Sequence, residues 1–368
     1  MIFFLRSYYV EQDPRLQRYI KALSLNGLPS HCISWDRLAK EKDTSNITYF
    51  KKSARTGAGI LNTWNLIKWN IFCLRELLAR KQEVTAVHAI DLDTGFVAAV
   101  FSILTQKPLI YDAFDLYSAS RATNPLLTKL LDNFERWVIR RSTHTILPDE
   151  CRREQYKISH YTNIKIIENI PISDREKKYS TLSKNRPSSI KFVYAGALAE
   201  KHRGIEDLLE WAAEKGNDIT LEIAGAGVLQ ELCQKMAVSH KNIIFYGNIS
   251  NREALSLMEN AHVILGFYYL SSPNHRYAAP NKYFEHLLIG RPLLTTTGTP
   301  PGDKVSTYNS GWAIDEGISA LDKWWSNFTW NDACKKGGNA TAIWSKNYAD
   351  YFEKTLLKTY IDLIMQNK

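Results

Sequence analysis

Strand-like and helix-like runs alternate along the whole chain in two successive series, and this alternation limits the available folds more than any other feature. In the first half, β-branched and aromatic runs stand at 2–5, 31–35, 84–90, 108–114, 144–148 and 164–170. Helical periodicity fills 14–26, 61–81, 93–105, 125–141 and 149–156 between them. In the second half the strand runs are 190–196, 219–225, 243–247, 262–267, 292–296 and 312–314, and the helical runs 204–215, 227–238, 251–260, 280–289 and 317–327. Strands separated by helices pair in parallel through right-handed crossovers. The expected class is therefore α/β, with doubly wound sheets.

At 368 residues the chain exceeds one ordinary domain. Residues 173–189 are rich in Ser, Lys, Arg and Glu, contain Pro187 and show no periodicity, so they read as a linker. The division expected is 1–172, the linker 173–189, and 190–343. A tail, 344–368, carries the amphipathic pattern Trp344, Tyr348, Tyr351, Phe352, Leu356, Leu357, Tyr360, Leu363. Open parallel sheets bind ligands at the carboxyl ends of their strands. Two such domains in tandem predict a cleft with one substrate on each side.

The 45% apolar content supports real cores, yet no run of about 18 apolar residues exists, and no transmembrane helix is expected. The opening Met1-Ile-Phe-Phe-Leu stops at Arg6, too short for a signal-peptide core. Five scattered cysteines without a Cys-x-x-Cys pair read as free thiols of a reducing cytoplasm. No His, Cys and carboxylate cluster has metal-ligand spacing, so no structural zinc is expected.

The net charge of +9 is unevenly placed. Residues 1–185 hold 28 Lys and Arg against 19 Asp and Glu, whereas residues 186–368 hold 19 of each. The whole excess lies in the first half, which points that half toward an anionic partner such as a membrane surface or a pyrophosphate-linked lipid. Nucleic acid is disfavoured, since no recognised binding motif accompanies the charge. Within 61–81, Trp64, Trp69 and many aliphatic residues are flanked by Lys51, Lys52, Arg55, Lys68, Arg75, Arg80 and Lys81. Most of that apolar stripe is expected to be core, and the Trp with its basic flanks is the part suited to lipid.

The most informative local stretch is 278–297, Ala-Ala-Pro-Asn-Lys-Tyr-Phe-Glu-His-Leu-Leu-Ile-Gly-Arg-Pro-Leu-Leu-Thr-Thr-Thr. Asn281, Lys282 and Glu285 crowd a helix start, Gly290 ends the helix, and a buried strand follows Pro292. A helix N-terminus with a lysine in its first turn suits a phosphate, and a carboxylate one turn on suits ribose hydroxyls. Upstream, Gly196 closes a strand and is followed by Lys201 and Arg203. Either cation fits a phosphate there, and solvated loop charge is the plain alternative. Gly225-Ala-Gly227 and Gly247 end two further strands, each compatible with ordinary turn chemistry.

Taken together, residues 190–315 resemble the donor half of sugar-nucleotide-dependent glycosyltransferases with the GT-B fold, of the family-4 type. The "Pro-Asn-Lys-x-Phe-Glu" and "Gly-x-Pro" elements carry the likeness, supported by the order of Gly196, Gly225 and Gly247. The resemblance implies two Rossmann-like domains, a tail helix that crosses back to the first domain, and a nucleotide-diphosphate sugar at Gly196, Lys201, Arg203, Gly225, Gly247, Asn281, Lys282 and Glu285. The family's Arg after the first glycine is Ala197 here, and the first of its two glutamates is Tyr277. Tyr268, Tyr269, His275 and Arg276 share the same loop and read either as donor-sugar contacts or as surface.

In the first half, Asp13-Pro-Arg15 resembles the family's acceptor-side helix start, and implies acceptor contacts at Asp13 and Arg15. Val87-His88-Ala-Ile-Asp91-Leu-Asp93 and Tyr111-Asp112-Ala-Phe-Asp115 resemble strand ends that carry histidines in the family, with Ile90 and Phe114 in place of two of them. A carboxylate facing a cleft can orient sugar hydroxyls or act as a base, which makes Asp91 and Asp115 the catalytic candidates. Helix capping is the plain reading of Asp91 and Asp93, and His88 reads as a packed histidine.

The resemblance implies a hexosyl-type transferase that needs no cofactor or metal and retains anomeric configuration. It implies cytoplasmic work on the inner face of the membrane, on a saccharide acceptor carried by lipid, in bacterial surface-polysaccharide synthesis. Two rivals remain open: a nucleotide-sugar epimerase on the same scaffold, and a silent sugar-nucleotide-binding subunit, the latter suggested by Ala197, Tyr277, Ile90 and Phe114.

Overall fold

The structure is a computed structural model that describes residues 1–11, 13–54, 59–121, 124–172 and 179–365. Arg55 and positions 173–178 of the expected linker lie outside the described residues. The chain forms two compact units: Met1–Glu168 together with the chain's end from Glu353, and Asn169–Phe352.

In the first unit the order is β1 (Ile2–Arg6), α1 (Pro14–Leu25), β2 (Ser30–Asp36), β3 (Ile47–Lys51), α2 (Gly59–Ala79), β4 (Ala86–Ile90), α3 (Leu92–Thr105), β5 (Leu109–Asp112), α4 (Tyr117–Arg121), α5 (Pro125–Arg141), β6 (His144–Leu147), α6 (Arg152–Tyr156) and β7 (Ile164–Ile166). Its seven strands pair in parallel in the order β3-β2-β1-β4-β5-β6-β7. Alternate strand residues face opposite ways. Phe3, Val87, Leu109 and Tyr111 pack under α2, α3 and α5 with Trp69, Phe101 and Val138. One register on, Phe4 packs on His88, and His88 meets Tyr19 of α1 on the other face.

The second unit runs β8 (Ile190–Ala195), α7 (Ile205–Lys215), β9 (Ile219–Ala224), α8 (Gln230–Ser239), β10 (Ile243–Phe245), α9 (Asn251–Glu259), β11 (Val263–Gly266), α10 (Asn281–Ile289), β12 (Leu293–Thr296), α11 (Pro300–Thr307), β13 (Gly311–Ile314), α12 (Ile318–Ser326) and α13 (Trp330–Asn347). Its six-stranded parallel sheet is ordered β10-β9-β8-β11-β12-β13. Strand order reverses between β1 and β4 in one sheet and between β8 and β11 in the other, and ligands of open α/β sheets favour these points.

Local signals set several helix starts. Asp13 caps α1 ahead of Pro14, Asn124 caps α5 ahead of Pro125, and Ser250 with Glu253 forms a reciprocal capping box on α9. Gly290, at φ 72°, ends α10.

The tail differs from the single helix expected from 344 onward. The α-helix α13 stops at Asn347, a π-helical turn follows at Phe352–Leu357, and α14 (Lys358–Met365) ends the described chain. The apolar stripe is continuous in sequence, but its early part, with Trp344, is buried in the second unit and its late part, with Tyr360, in the first. Tyr360 packs against Tyr19 with ring centroids 4.5 Å apart and the rings tilted by 35°, and its hydroxyl lies 2.7 Å from Nδ1 of His88. His88 is fully buried, and burial pushes its pKa below the usual imidazole value. All five cysteines are unpaired, as the composition implied.

Candidate functional site

In the second unit the turns after β8, β9 and β10 are laced together by backbone hydrogen bonds. Gly196 N donates to Ala224 O at 3.0 Å, Leu198 N to Ala226 O at 3.0 Å, and Gly225 N to Gly247 O at 2.8 Å. Gly225 has φ +146°, and a Cβ placed there would stand 1.8 Å from Gly196 O. A side chain at 225 would force the Gly196 turn away, so glycine there holds the two strand ends together.

Helix α10 starts beside these turns. Pro280 is its N-cap, no side chain caps it, and Asn281 and Lys282 follow as its first residues. Lys282 is buried, an unusual place for an ammonium group. Its Nζ donates to Ala195 O, the last residue of β8, at 2.5 Å and stands 4.2 Å from the ring centroid of Tyr194. Burial pushes its pKa down to about 8, with the nearby Arg203 charge adding to the depression and the Glu285 carboxylate opposing it. Glu285, one turn on, is buried as well.

The two cations that the sequence left open are placed differently. Lys201 is exposed, with φ +61° and its backbone N–H on the Glu206 carboxylate at 3.0 Å. Arg203 is partly buried, with its guanidinium 4.9 Å from the centroid of the Tyr268 ring. Thus Gly196, Gly225, Lys282, Glu285 and Arg203 gather at one end of the sheet, and Lys201 stands further out in solvent. Tyr268 donates its backbone N–H to Thr296 Oγ1 at 2.9 Å, which fixes the chain after β11. Tyr269 is a structural pin: its hydroxyl bonds Asp207 at 2.5 Å and accepts from Gly317 N at 3.1 Å. His275 is buried on Tyr269 O, and Arg276 is exposed. Sequence reasoning missed Tyr194. Its signal was its position two residues before Gly196, on the same face of β8.

In the first unit the carboxyl ends of β1, β4 and β5 bring together Arg6, Asp91, Asp112 and Phe114. Asp91 sits at φ 61°, ψ 168°, a region that only glycine enters easily, and its side chain makes no capping bond to α3. Its carboxylate pairs with Arg6 NH1 at 2.7 Å and accepts from Phe114 N at 3.1 Å. The side chain retains 23% exposure. Loss of water pushes its pKa up to about 6, against the pull of Arg6 and with help from the charge of Asp93. Asp93, in the first turn of α3, accepts from Ser7 Oγ at 2.7 Å and meets Arg121 at 3.3 Å.

The acceptor-side expectations meet a different arrangement. Asp13 caps α1 through Arg15 N and Leu16 N and pairs with Arg6 Nε at 2.7 Å. Arg15 is buried, grips Asp112 through two bonds of 2.9 and 2.8 Å, and donates to Ile167 O at 2.7 Å. Both side chains are committed within the fold, because a guanidinium taken out of water needs a carboxylate fork of this kind. Asp112 is held well below the usual carboxylate range by Arg15 and His88, which outweigh its burial. Asp115 is 61% exposed and pairs with Arg152 at 2.7 Å. Among the described residues no group of three or more His, Cys, Asp or Glu side chains is placed to hold a metal ion. No helix among them is long and apolar enough to cross a membrane.

No protein-family model matches the chain, and no curated protein sequence does either. Solved structures do. The chain is similar over 99% of its length to 99% of WaaG, a glycosyltransferase involved in lipopolysaccharide biosynthesis, at 15% identity and a TM-score of 0.67. It covers 98% of itself and 99% of Anabaena HepE, solved in complex with UDP and glucose, at 12% identity and a TM-score of 0.68. A sucrose-phosphate synthase from Thermosynechococcus elongatus matches over 100% of both chains at 13% identity and a TM-score of 0.73. The fold is therefore that of the two-domain GT-B glycosyltransferases, and the fold expected from residues 190–315 extends to the whole chain.

Proposed function

We propose that the protein is a glycosyltransferase that moves a sugar from a nucleotide-diphosphate donor to a hydroxyl of a saccharide acceptor. The observation that carries this reading is the burial of Lys282 in the first turn of α10 and of Glu285 one turn on, beside the glycine turns after β8 and β9. A buried ammonium group next to free helix N–H groups suits a diphosphate, and the carboxylate suits ribose hydroxyls. Arg203 serves as the second phosphate cation in place of the arginine that Ala197 lacks. Uridine diphosphate sugars are the first donors to try, since HepE was solved with UDP.

In the reaction, the bond from the anomeric carbon to the phosphate oxygen breaks, and the acceptor oxygen forms the new glycosidic bond on the same face. The acceptor proton passes to the departing phosphate, and charge on that phosphate is stabilised by Lys282, Arg203 and the helix terminus without a metal. Asp91 orients the acceptor hydroxyl. The basic first unit takes a lipid-linked saccharide at the inner face of the cell membrane, in surface-polysaccharide synthesis.

The test is thermal stabilisation across a panel of nucleotide sugars in the presence of a chelator, followed by transfer from the best binder to lipid-linked saccharides. Stabilisation by one donor class and a glycosylated product are expected. No stabilisation by any donor, or stabilisation only after metal is restored, overturns the reading. A free epimer formed without acceptor identifies an epimerase, and donor binding without turnover across the acceptor panel identifies a silent subunit.

A further inference from the structure

Large apolar side chains stand exposed on three neighbouring helices of the first unit. On α5, Leu126, Leu130 and Phe134 follow at a spacing of one helical turn, the first 80% and the second 62% exposed. On the adjacent α3, Phe96 and Leu104 are exposed, and Phe96 packs on Phe134 with ring centroids 4.8 Å apart. On α2, beside α3, Trp64 and Ile71 are exposed on one stripe. These helices cover the sheet with their inner faces, so the apolar residues on their outer faces contribute nothing to that core. Contiguous exposed apolar surface of this kind marks an interaction face.

The charge on the same helices is one-sided. Lys68 and Arg75 of α2 and Lys129, Arg140 and Arg141 of α5 are exposed. Of their acids, Asp93 and Glu135 are buried, Glu76 is partly buried, and Asp132 accepts from Ser118 Oγ at 2.5 Å. Apolar and aromatic side chains flanked by cations, with no exposed acid among them, match the boundary of an anionic lipid leaflet. A second copy of the chain would bring the same cations face to face.

Topology sets which end of this face lies near the candidate site. Each of α2, α3 and α5 returns from the carboxyl edge of the sheet toward its amino edge, so their first turns share the carboxyl edge. Trp64, Phe96, Leu126 and Leu130 lie in those early turns, and Phe96 is one turn beyond Asp93. We infer that the outer face of α2, α3 and α5 docks on an anionic leaflet and presents the Asp91 end of the first unit to an acceptor anchored in that leaflet. This deepens the transferase reading and rests on it for the acceptor, but the docking itself does not require it.

The test is flotation of the full chain with vesicles of phosphatidylcholine alone and with phosphatidylglycerol added. Wild type is expected to float with the anionic vesicles and to release as salt rises. The Leu126→Ser/Leu130→Ser variant should lose partition at least tenfold, with unchanged melting and unchanged stabilisation by the donor nucleotide. Replacing Lys129, Arg140 and Arg141 by Gln should remove most of the salt-sensitive part. Equal partition of wild type and the leucine variant overturns the assignment, as does wild type that ignores anionic vesicles. So does a wild-type dimer that the leucine variant converts to monomer without any vesicle binding. Nucleotide stabilisation that persists while flotation fails removes the docking surface alone; the reverse removes the transferase reading alone.

Discussion

Lys282, the second residue of α10, donates a 2.5 Å hydrogen bond to the carbonyl of Ala195, the last residue of β8. The bond ties the helix start to the strand whose turn carries Gly196, and it holds an ammonium group where water is scarce. A buried lysine gives up its proton more readily than an exposed one.

The first prediction follows from that depression to about 8. A phosphate ligand favours the protonated lysine, so donor affinity should be constant near neutral pH and fall as pH rises above about 8, by up to tenfold per unit. Lys282→Met should weaken binding about ten- to a hundredfold near neutral pH, in keeping with about 1.5–3 kcal/mol for a charged hydrogen-bond partner, and should lack the alkaline step. Calorimetric titration across pH measures both. An affinity indifferent to pH and to Lys282→Met rules out the donor site.

Asp91 makes an acidic prediction. Burial pushes its carboxyl up to about 6, and the proposed role, holding an acceptor hydroxyl, uses the ionised form. Transfer should therefore fall below about pH 6, and Asp91→Asn should abolish most of the activity while donor binding remains. Stability has its own sign. The folded pKa is above the unfolded value of about 3.9, so this group's contribution declines as pH rises from about 4 to about 6. A kcat profile that is flat through pH 6, or a fully active Asp91→Asn, removes Asp91 from the reaction.

Arg15 separates a binding role from a structural one. With its fork spent on Asp112, Arg15→Ala should cost about 3–5 kcal/mol of stability, because it strands a buried carboxylate. Denaturant unfolding checks this. A variant of normal stability with a raised KM for acceptor supports instead the acceptor role that the resemblance implies.

Two adjacent glycines of α13 should respond with opposite signs. A Cβ at Gly337 stands 2.8 Å from the carbonyl of Gly290, whereas one at Gly338 meets nothing within 4 Å. Gly338→Ala should stabilise by about 0.5–1 kcal/mol through helix propensity. Gly337→Ala should destabilise, since α13 must move off the end of α10. Paired melting curves decide it, and equal effects contradict the packing.

Much of the architecture was legible because its signal is local. The strand runs around Phe3, Val87, Val193 and Ile264 are continuous and apolar, as buried parallel strands are, and the helix from Asn281 to Gly290 is bounded by its own chemistry. The short edge strand β3 passed unnoticed, since five residues with one buried side chain offer little pattern. The start of α13 was missed because Gly337 and Gly338 weaken the helical signal, and only the tertiary approach to Gly290 explains the first of them. In the candidate site, Lys282 and Glu285 declared themselves by spacing. Arg6 did not, because its importance comes from two carboxylates, Asp13 and Asp91, that are distant in sequence and adjacent in the fold. The partner of Arg15 is hidden for the same reason: the resemblance implies acceptor contacts at Asp13 and Arg15, and nothing local shows that Asp112 waits for the guanidinium.

The bond between Tyr360 and His88 joins residues 272 positions apart, on either side of the whole second unit. Tyr360, Leu363 and Ile364 are buried in the first unit, the two aliphatic side chains contributing about 1.5–3 kcal/mol each. During synthesis the amino-terminal half therefore emerges with α1 against His88 but without α14, which follows only after the second unit is translated. The second unit can close first. A ribosome that stalls, or a stop codon near residue 350, would release a first half in which His88 keeps Tyr19 but lacks the Tyr360 hydroxyl. Such a product is a natural client for chaperones and proteases, because the first unit draws part of its core from a segment made after the whole of the second.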